Sequence, residues 1–377
     1  MRVLLTANSA WNIWNFRRPI VEAFQRAGCR VIILAPKDDA AAYLEDLGCE
    51  FHALKMDIKG TNPLNDYLLK RRYQRHFRKL KPDVVFSYTI KNNLFGALAA
   101  KRLKIPFVPN VTGLGTAFLS SGILQWIAEA LYRSAFSKLP IVFFQNEDDK
   151  ALFVERGLVA PDQVRLLPGS GIDLLRFTAS PLPPEDSPTT FLMIARLLKD
   201  KGVVEYVEAA RLVRKKFPLT RFQILGAIGS ENRTAIGSDT VDEWIREGAV
   251  EYLGTTNDVR PAIEAATCVV LPSYREGAPR TLIEAAAMGR PLIATDVPGC
   301  RSVLDHEVTG YLCEVRSAQS LSSTMERFIN LSAEKKAEMG RASREKMERE
   351  FSQEIVLSEY QRALSIVAKS SYTEDIV

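Results

Sequence analysis

Short apolar runs alternate along the chain with longer stretches in which apolar residues recur at helical spacing. Near the N-terminus, residues 2–6 are predicted to form a strand, residues 17–27 a helix that ends at Gly28, and residues 30–34 the next strand. Alternation of this kind is typical of a parallel sheet built from βαβ units. Further strands of this first half are predicted at residues 83–87, 105–109 and 141–144.

A segment rich in Pro, Ser and Thr, residues 178–190, interrupts this alternation and has the composition of a linker. The alternation then begins again, with strands predicted at residues 190–194, 222–225, 268–271 and 291–294 and a helix at residues 202–215. Beyond Phe351, apolar residues at helical spacing predict a C-terminal helix packed along a domain surface. The predicted fold class is therefore α/β, with two Rossmann-like doubly wound domains in tandem.

Composition agrees with this organisation and narrows the function. The 377 residues exceed what one ordinary core holds, and 46% hydrophobic with 25% charged residues excludes a mainly disordered protein. The net charge of +5 suits an anionic substrate or an anionic lipid face. Five scattered cysteines without a CxxC pair indicate free thiols in a reducing cytoplasm.

The chain is not expected to span a membrane. No apolar run approaches the roughly 18 residues that a transmembrane helix needs, and the N-terminus reads as a strand and not as a signal peptide. Any membrane contact is therefore expected to be peripheral.

The most informative stretch, residues 276–289, reads EGAPRTLIEAAAMG and lies between two predicted strands. We expect Pro279 to occupy the first helical position and Gly289 to end the helix. Glu276 then lies in a loop at the carboxyl end of a strand, where open α/β sheets bind ligands, and Glu284 lies inside the helix.

This arrangement suits a sugar nucleotide. The N–H groups of Gly277, Ala278 and the helix start can hold a diphosphate, while Glu276 accepts hydrogen bonds from sugar hydroxyls and Glu284 from a ribose. The alternative is that two glutamates eight residues apart merely decorate a solvated surface. The strand, the glycine, the proline and the apolar run at residues 285–287 favour the site, because a charged Glu284 beside that run needs a partner.

The pair Glu276 and Glu284 resembles the donor-site signature of glycosyltransferase family 4, as does RLLKDKG at residues 196–202. The resemblance extends over almost the whole chain and implies a GT-B fold, with two domains facing a cleft and a C-terminal crossover helix. In that family the residues matching Arg196 and Lys201 bind the donor diphosphate and the leaving group. Two fixed cations would stabilise the charge that builds on a departing phosphate, whereas the alternative is a solvated basic turn.

The resemblance thus assigns a role to each part of the chain. It implies an acceptor-binding domain at residues 1–172, a nucleotide-sugar-binding domain at residues 173–355, and a C-terminal helix at residues 356–377 that packs back toward the first domain. The residues implied for catalysis are Arg196, Lys201 and Glu276. Those implied for donor binding are Gly277, Ala278, Pro279, Glu284 and Gly254. The nucleobase is expected near residues 254–258.

The first half departs from many family members, because its first loop, Asn8 to Arg18, lacks their Gly-Gly pair. This loop, residues 88–93 and residues 110–115 are similar instead to a subgroup that acts on polyprenyl-diphosphate-linked sugars. The candidate acceptor-binding residues are Asn12, Asn15, Arg17, Lys91, Thr112 and Gly113. An aromatic-anchored loop with helix-capping residues is the alternative for each of them.

Two further stretches indicate membrane contact. Residues 70–81 are strongly basic on a predicted helix, and an apolar stretch follows at Phe118, Leu119 and residues 122–127, which include Trp126. A basic face beside an apolar wedge is what peripheral binding to anionic lipid needs. The alternative is a solvated charged face and an ordinary core helix. A nucleic acid partner is not expected, because no nucleic-acid-binding signature accompanies the basic run.

The resemblance implies a cytoplasmic retaining glycosyltransferase, peripheral on the inner face of the plasma membrane, in surface polysaccharide assembly. It would move an N-acetylhexosamine from a UDP-sugar to a polyprenyl-diphosphate-linked sugar, with no metal or other cofactor. No carboxylate nucleophile for a double displacement is evident in the first half, which favours front-face substitution. The alternatives are another GT-B enzyme, such as a nucleotide-sugar epimerase, and a non-catalytic sugar-nucleotide-binding protein at the membrane.

Overall fold

A computed structural model describes residues 1–58, 60, 62–114, 123–229, 232 and 234–373. The chain forms two compact units. The first comprises residues 1–170 and the segment from Gln353 onward, and the second comprises residues 171–352. The first unit therefore takes in the C-terminal helix, which the division drawn from the sequence treats as a separate segment.

The first unit is a parallel sheet with helices between its strands. Its strands are β1 (Arg2–Thr6), β2 (Arg30–Ala35), β3 (Glu50–Ala53), β4 (Val84–Tyr88), β5 (Phe107–Val111), β6 (Val142–Phe144) and β7 (Val164–Leu166). Its helices, before the C-terminal one, are α1 (Ala10–Arg26), α2 (Ala40–Asp46), α3 (Pro63–Leu80), α4 (Ile90–Leu103), α5 (Ile123–Phe136) and α6 (Glu147–Glu155). Within the described residues the strands lie in the order β3-β2-β1-β4-β5-β6-β7.

The second unit repeats this architecture. Its strands are β8 (Thr190–Ile194), β9 (Arg221–Leu225), β10 (Glu251–Tyr252), β11 (Cys268–Leu271), β12 (Leu292–Thr295) and β13 (Gly310–Cys313). A 3-10 turn, Lys199–Lys201, follows β8, and the helices are α7 (Val203–Arg214), α8 (Ser238–Arg246), α9 (Arg260–Ala265), α10 (Arg280–Ala287), α11 (Pro298–Val303), α12 (Ala318–Ile329) and α13 (Ala333–Glu350). In the described part of this unit the strand order is β10-β9-β8-β11-β12-β13, and all pairings are parallel.

Each sheet is buried on both faces, which explains why its strands are continuous apolar runs. Along β1, Val3 and Leu5 pack into one hydrophobic cluster while Leu4 packs into the other. Along β8, Phe191 and Leu192 divide in the same way between the two clusters of the second unit. Successive side chains of a strand point to opposite faces, so one apolar run supplies two cores.

The C-terminal helix, α14 (Gln353–Thr373), completes a core of the first unit. Its buried Tyr360 has a ring centroid 5.4 Å from that of Phe86 and 5.2 Å from that of Phe143. Asn110 Nδ2 donates a hydrogen bond to the Tyr360 hydroxyl at 3.2 Å. This helix therefore packs on strands β4, β5 and β6 of the first unit.

Helix α1 begins earlier than the sequence predicts. Ser9 caps it, with its side chain accepting a hydrogen bond from the Asn12 N–H at 3.0 Å, and the helix continues through Pro19 to Arg26. The prediction of a loop from Asn8 to Arg18 is therefore wrong beyond Ser9. A Ser side chain supplies the N–H acceptor that a helix start lacks, and it sets this boundary.

Strand order reverses once in each sheet, between β1 and β4 in the first unit and between β8 and β11 in the second. Loops that leave the carboxyl ends of such a strand pair diverge to opposite faces and leave a crevice, where open α/β sheets bind their ligands. The prediction of two parallel α/β halves is confirmed. No helix in the described part of the chain is both long and apolar enough to span a membrane.

Candidate functional site

In the second unit, Lys201 and Glu276 meet at the strand-order reversal. Lys201 ends the turn that follows β8, Glu276 lies in the loop that follows β11, and Lys201 Nζ forms an ion pair with Glu276 Oε1. The Lys201 side chain is 25% exposed and that of Glu276 is 12% exposed. The structure therefore brings together two of the three residues predicted for catalysis.

Hydrogen bonds to main-chain oxygens join the two loops to each other and to the end of β12. The Tyr274 N–H donates to the Asp200 carbonyl at 2.9 Å, and Ser273 Oγ donates to the same oxygen at 3.2 Å. The Thr295 hydroxyl, at the end of β12, donates to the Ser273 carbonyl. Because these bonds involve main-chain atoms, they hold the two loops in place whatever the rotamers of Lys201 and Glu276.

Two glycines allow this close packing. A Cβ on Gly202, whose φ is +73°, would lie 2.0 Å from the Pro272 carbonyl oxygen. A Cβ on Gly299 would lie 2.5 Å from the carbonyl oxygen of Gly277 and 2.6 Å from that of Glu276. Any side chain at either position would push main chain against main chain, so both glycines set where Lys201 and Glu276 lie.

Arg196 lies between β8 and Lys201, and it is exposed. No carboxylate of the described residues forms an ion pair with it, and the ion pair between Lys201 and Glu276 does not include it. An exposed guanidinium beside a loop crevice is available to a phosphate.

The main chain after Glu276 leads straight into helix α10. Gly277 and Pro279 are buried and Ala278 is partly buried. Pro279 is the N-cap residue, with Arg280 first in the helix, so the prediction of Pro279 at the first helical position is wrong by one residue. The orphan N–H groups of a helix start still face this loop, and they attract anions.

Glu284 is buried in α10, with 8% of its surface exposed, and its Oε1 accepts a hydrogen bond from Arg280 Nε at 2.7 Å. Burial raises the pKa of Glu284, while the Arg280 guanidinium opposes that rise. The partner that the sequence argument demanded is therefore Arg280, one helical turn earlier. Gly254 follows β10 with a φ of +74°, and its carbonyl accepts a hydrogen bond from the Gly226 N–H at 2.8 Å.

Residues not singled out from the sequence support the Glu276 loop. The Tyr274 hydroxyl donates to Glu205 Oε1 at 2.5 Å, and burial, followed by this hydrogen bond, raises the pKa of Tyr274 to about 12. Burial raises the pKa of the Cys300 thiol, and the nearby Glu276 carboxylate raises it further. Position relative to the Glu276 motif is the only signal in the sequence that points to either residue.

In the first unit, a cavity of about 310 Å³ opens beside the strand-order reversal. Its lining includes three predicted acceptor-binding residues, Lys91, Thr112 and Gly113. The other lining residues are Asn8, Met56, Ile58, Thr89, Ile90 and Asn92. The cavity thus combines apolar walls with hydroxyl, amide and ammonium groups, a mixture that suits a ligand with both hydroxyls and carbon faces.

Lys91 in this cavity is paired with Asp66, which sequence reasoning missed. Lys91 Nζ lies 2.9 Å from Asp66 Oδ1, and the two side chains are 16% and 19% exposed. Neither atom has a partner in hydrogen-bond geometry, so the ammonium retains the capacity to donate to a ligand. Asp66 lies in the first turn of α3, where a helix favours an acidic residue, but this says nothing about its partner.

A buried network of polar side chains holds two of the cavity's lining residues, Thr89 and Asn92, in place. The Asn92 amide donates to the Tyr73 hydroxyl at 2.7 Å and to Thr6 Oγ1 at 3.2 Å, and Tyr73 and Thr6 lie 2.8 Å apart. The Thr89 hydroxyl donates to Asn92 Oδ1 at 2.7 Å. Thr89 has a φ of +71°, which is strained for a β-branched residue, so the network holds a conformation that the isolated chain disfavours.

Asn12, Asn15 and Arg17 lie on α1 and do not line this cavity. Asn15 is exposed, and Asn12 Oδ1 is buried without a hydrogen-bond partner in the described residues. Arg17 is buried, and its guanidinium lies over the Tyr88 ring, 4.4 Å from the centroid. The structure therefore separates the six predicted acceptor-binding residues into two groups.

Helix α3 carries an exposed basic face, formed by Arg71, Arg75, Arg78 and Lys79. None of these four side chains forms an ion pair with a described residue. Leu64, Tyr67 and Leu68 are exposed on the same helix, and Trp126 is 69% exposed on α5. Phe118, Leu119 and Gly122, which were predicted to contribute an apolar wedge, lie outside the described residues.

No group of three or more His, Cys, Asp or Glu side chains in the described part of the chain is arranged to hold a metal ion. Metal independence stays a prediction.

Two protein families match the chain, one in each half. The family described as "Glycosyl transferase 4-like domain" matches residues 13–169, and that described as "Glycosyl transferases group 1" matches residues 178–346. The two matches together account for most of the chain, and the break between them, residues 170–177, precedes the predicted linker.

Named relatives agree with the family matches. A Campylobacter jejuni N,N'-diacetylbacillosaminyl-diphospho-undecaprenol alpha-1,3-N-acetylgalactosaminyltransferase is 28% identical over 340 residues, covering 85% of this chain and 88% of that protein. An Escherichia coli UDP-Gal:alpha-D-GlcNAc-diphosphoundecaprenol alpha-1,3-galactosyltransferase is 25% identical over 310 residues, covering 78% of this chain and 76% of that protein.

The fold has close counterparts among solved structures. The structure of Anabaena HepE in complex with UDP and glucose superposes with a TM-score of 0.76 at 18% identity, covering 97% of this chain and 99% of that chain. The resemblance drawn from the sequence is confirmed: the chain belongs to the glycosyltransferases of the GT-B fold, with a 4-like first half and a group 1 second half.

Proposed function

We propose that this glycosyltransferase moves an N-acetylhexosamine from a UDP-sugar to a polyprenyl-diphosphate-linked sugar, with retention of anomeric configuration and without a metal ion. The observation that carries the proposal is the Lys201–Glu276 pair at the strand-order reversal of the second unit. A cation for phosphate and a carboxylate for sugar hydroxyls lie side by side there, as one donor molecule would need them.

The donor is expected to divide between these two side chains. Lys201 and Arg196 would bind the diphosphate, Glu276 the hexose hydroxyls, and the N–H groups of Gly277 and Ala278 and the start of α10 the phosphate oxygens. The buried carboxylate of Glu284 would accept hydrogen bonds from the ribose, and Gly254 would lie near the base. Because Glu276 pairs with Lys201 in the free protein, donor binding must exchange that ion pair for phosphate and hydroxyl contacts.

The chemistry that these residues support is a front-face substitution. The bond between the anomeric carbon and the β-phosphate oxygen breaks, the acceptor oxygen bonds to that carbon on the same face, and the acceptor proton passes to the leaving phosphate. Negative charge grows on the phosphate as the bond breaks, so Lys201 and Arg196 stabilise the transition state more than the ground state. The products are UDP and an α-linked glycoside when the donor is α-linked.

The cavity of the first unit suits the acceptor sugar. Its walls offer the Lys91 ammonium, the Thr89 and Thr112 hydroxyls and the Asn8 amide, whose Oδ1 is buried without a partner in the described residues. A buried amide oxygen without a donor favours a ligand rich in hydroxyl or N–H groups. Met56 and Ile58 give the apolar surface on which a sugar ring can lie.

The relatives support the choice of substrates. Both curated relatives have names that specify an undecaprenol-diphosphate-linked sugar as the acceptor and an alpha-1,3 linkage in the product, and one specifies UDP-Gal as the donor. One of them transfers N-acetylgalactosamine, which agrees with an N-acetylhexosamine donor. A polyprenyl chain also requires access to a membrane, and the unpaired basic face of α3 with its exposed apolar residues suits an anionic lipid surface.

The proposal is tested by UDP release from a panel of UDP-sugars, in EDTA, with and without synthetic polyprenyl-diphosphate sugars. We expect release with one UDP-N-acetylhexosamine that depends on the acceptor and is absent in Lys201→Ala. Nuclear magnetic resonance of the product then gives the anomeric configuration, and an inverted product would exclude front-face substitution. Loss of release in EDTA, restored by a divalent cation, would exclude metal independence. Silence with every donor and acceptor would favour a non-catalytic binding protein.

A further inference from the structure

Arg17 is a buried cation to which the described residues supply no anionic partner. Only 4% of its surface is exposed, and no carboxylate of the described residues forms an ion pair with it. The neighbouring Arg18 behaves in the ordinary way, since it is half-exposed and its Nε lies 2.7 Å from Glu22 Oε1. Adjacent positions on one helix therefore carry a paired surface arginine and an unpaired interior one.

The contacts that Arg17 does make offset little of the cost of its burial. Its guanidinium lies over the Tyr88 ring, 4.4 Å from the centroid, and Nη1 donates a long hydrogen bond of 3.4 Å to the Phe16 carbonyl. Nε is buried with no acceptor among the described residues. A ring face and one long hydrogen bond compensate a buried charge only in part, so the free protein holds Arg17 at a cost in stability.

The position of Arg17 in the fold indicates what would complete it. Helix α1 follows β1, and Tyr88 is the last residue of β4, so Arg17 lies beside the strand-order reversal of the first unit. Asn12, five residues earlier on α1, also has a buried amide oxygen without a partner in the described residues. A buried cation that lacks an anionic partner among the described residues, at the end of a sheet where ligands bind, indicates a missing ligand rather than a packing device.

We infer that Arg17 is an anion-binding residue that takes one phosphate group of a diphosphate substrate. A planar guanidinium binds two phosphate oxygens at once, and such a bond is strongest where water is excluded. This inference rests on the proposed function for the identity of the substrate, because both reactants proposed there carry a diphosphate. Whether the phosphate belongs to the lipid-linked acceptor or to the UDP-sugar is decided by experiment.

The first experiment needs no turnover and uses inorganic pyrophosphate as the probe. Pyrophosphate would also bind the two donor cations, so the change in Tm is measured in a background that carries both Lys201→Ala and Arg196→Ala, with Arg17→Gln or Arg18→Gln added. We expect pyrophosphate to raise the Tm of this background and of its Arg18→Gln derivative, and to leave that of the Arg17→Gln derivative unchanged. An equal rise in all three proteins would overturn the inference.

Stability of the ligand-free protein separates a binding role from a structural one. Removing an unpaired buried charge leaves no partner behind, so Arg17→Gln should have a Tm at least as high as that of the wild type. A lower Tm for Arg17→Gln together with an unchanged response to pyrophosphate would show that Arg17 serves packing, and would overturn the inference.

Kinetics then identify the source of the phosphate. For an acceptor phosphate, Arg17→Gln raises the KM for the polyprenyl-diphosphate sugar by about tenfold or more and leaves the Kd of UDP unchanged. For a donor phosphate, the Kd of UDP rises instead. Arg17→Lys keeps the charge but not the planar fork of the guanidinium, so its constants should lie between those of the wild type and those of Arg17→Gln. Arg18→Gln should match the wild type. An unchanged KM for the acceptor together with an unchanged Kd of UDP would overturn the inference. An enzyme that is inactive with every acceptor would contradict the proposed function, but the pyrophosphate result would still stand.

Discussion

Lys201 and Glu276, 75 residues apart in the chain, form an ion pair across the two loops that flank the strand-order reversal of the second unit. The pair neutralises in the free protein the two charges that a sugar nucleotide would use separately. Under the proposed function, binding of the donor would exchange these partners, and each side chain would affect the availability of the other.

Glu276→Gln tests this exchange. The amide pairs less strongly with Lys201, so the variant should bind UDP at least as tightly as the wild type, because the ammonium is released for phosphate. It should nevertheless lose roughly 100-fold in kcat/KM for the UDP-sugar, since the sugar hydroxyls lose a charged acceptor. Calorimetric titration of UDP and steady-state kinetics measure the two effects. Glu208→Gln, an exposed position on α7, is the matched control, and a parallel loss of UDP affinity and turnover in Glu276→Gln would contradict the exchange.

Gly299→Ala tests the close packing behind Glu276. The added Cβ would meet main-chain oxygens of Gly277 and Glu276 at 2.5 Å and 2.6 Å, so the loop has to move. A misplacement of this kind costs about 100-fold in turnover, while the fold remains and Tm falls by a few degrees. In contrast, Gly237→Ala meets nothing within 4 Å and should be neutral. Full activity in Gly299→Ala would mean that the position of this loop does not matter to the reaction.

Glu284→Gln tests whether the stability of the protein depends on pH through Glu284. Burial raises the pKa of Glu284 above its ordinary 4.5, so between that pH and the raised pKa the folded state holds more protons than the unfolded chain. Stability from this group therefore falls as pH rises through the window. The free energy of unfolding of Glu284→Gln, relative to the wild type, should increase from pH 4.5 upward in denaturant titrations.

The same variant should bind UDP more weakly, because the proposed ribose acceptor is lost. Arg280 keeps about a third of its side chain in solvent (32%), so removing its partner adds little cost. If the difference in free energy of unfolding between Glu284→Gln and the wild type stays constant with pH, the prediction of a raised pKa for Glu284 is contradicted.

Tyr73→Phe removes a hydroxyl of the buried network formed by Thr6, Tyr73, Thr89 and Asn92, next to the first-unit cavity that we propose binds the acceptor. Asn92 and Thr6 lose a buried partner, so the free energy of unfolding should fall by about 1–3 kcal/mol. Since Asn92 and Thr89 line the cavity, the KM for the acceptor should also rise, while the KM for the donor should not. Tyr132→Phe, in the same hydrophobic cluster, controls for loss of a core hydroxyl. If both variants raise the acceptor KM equally, the network has no special role.

Reversing the charge of Arg71, Arg75 and Arg78 to Glu should weaken binding to anionic vesicles by roughly 100-fold or more, as expected when three surface cations are lost. Vesicle flotation measures binding, and turnover of a detergent-soluble short-chain acceptor should be unchanged. The matched control reverses Lys335, Arg341 and Arg349 of α13, with the same change in net charge. Equal loss of binding in both triple variants would indicate a general effect of net charge and not a face on α3.

Much of the geometry of the candidate donor site could be predicted from the sequence, because its signals are local. Glu276 and Glu284 are set by one strand, loop and helix, and the Gly289 turn that ends the helix is confirmed by its φ of +73°. The acceptor half carries weaker signals. Ser9 is a recognisable N-cap residue, yet the aromatic and amide residues that follow it also indicate a loop. The sequence therefore predicts the start of α1 too late.

The sequence by itself determined the two α/β halves and the residue types of the predicted donor motif. These follow from periodicity and turn residues, which act over a few positions of the chain. Only the tertiary structure decided that Lys201 meets Glu276 and that Lys91 meets Asp66. It also decided that Arg17 is buried with no carboxylate partner among the described residues, while Arg18 pairs with Glu22. Such pairings depend on strand order and helix packing, which bring loops that are distant in the sequence to one edge of a sheet. No local pattern of residues encodes which loops meet there.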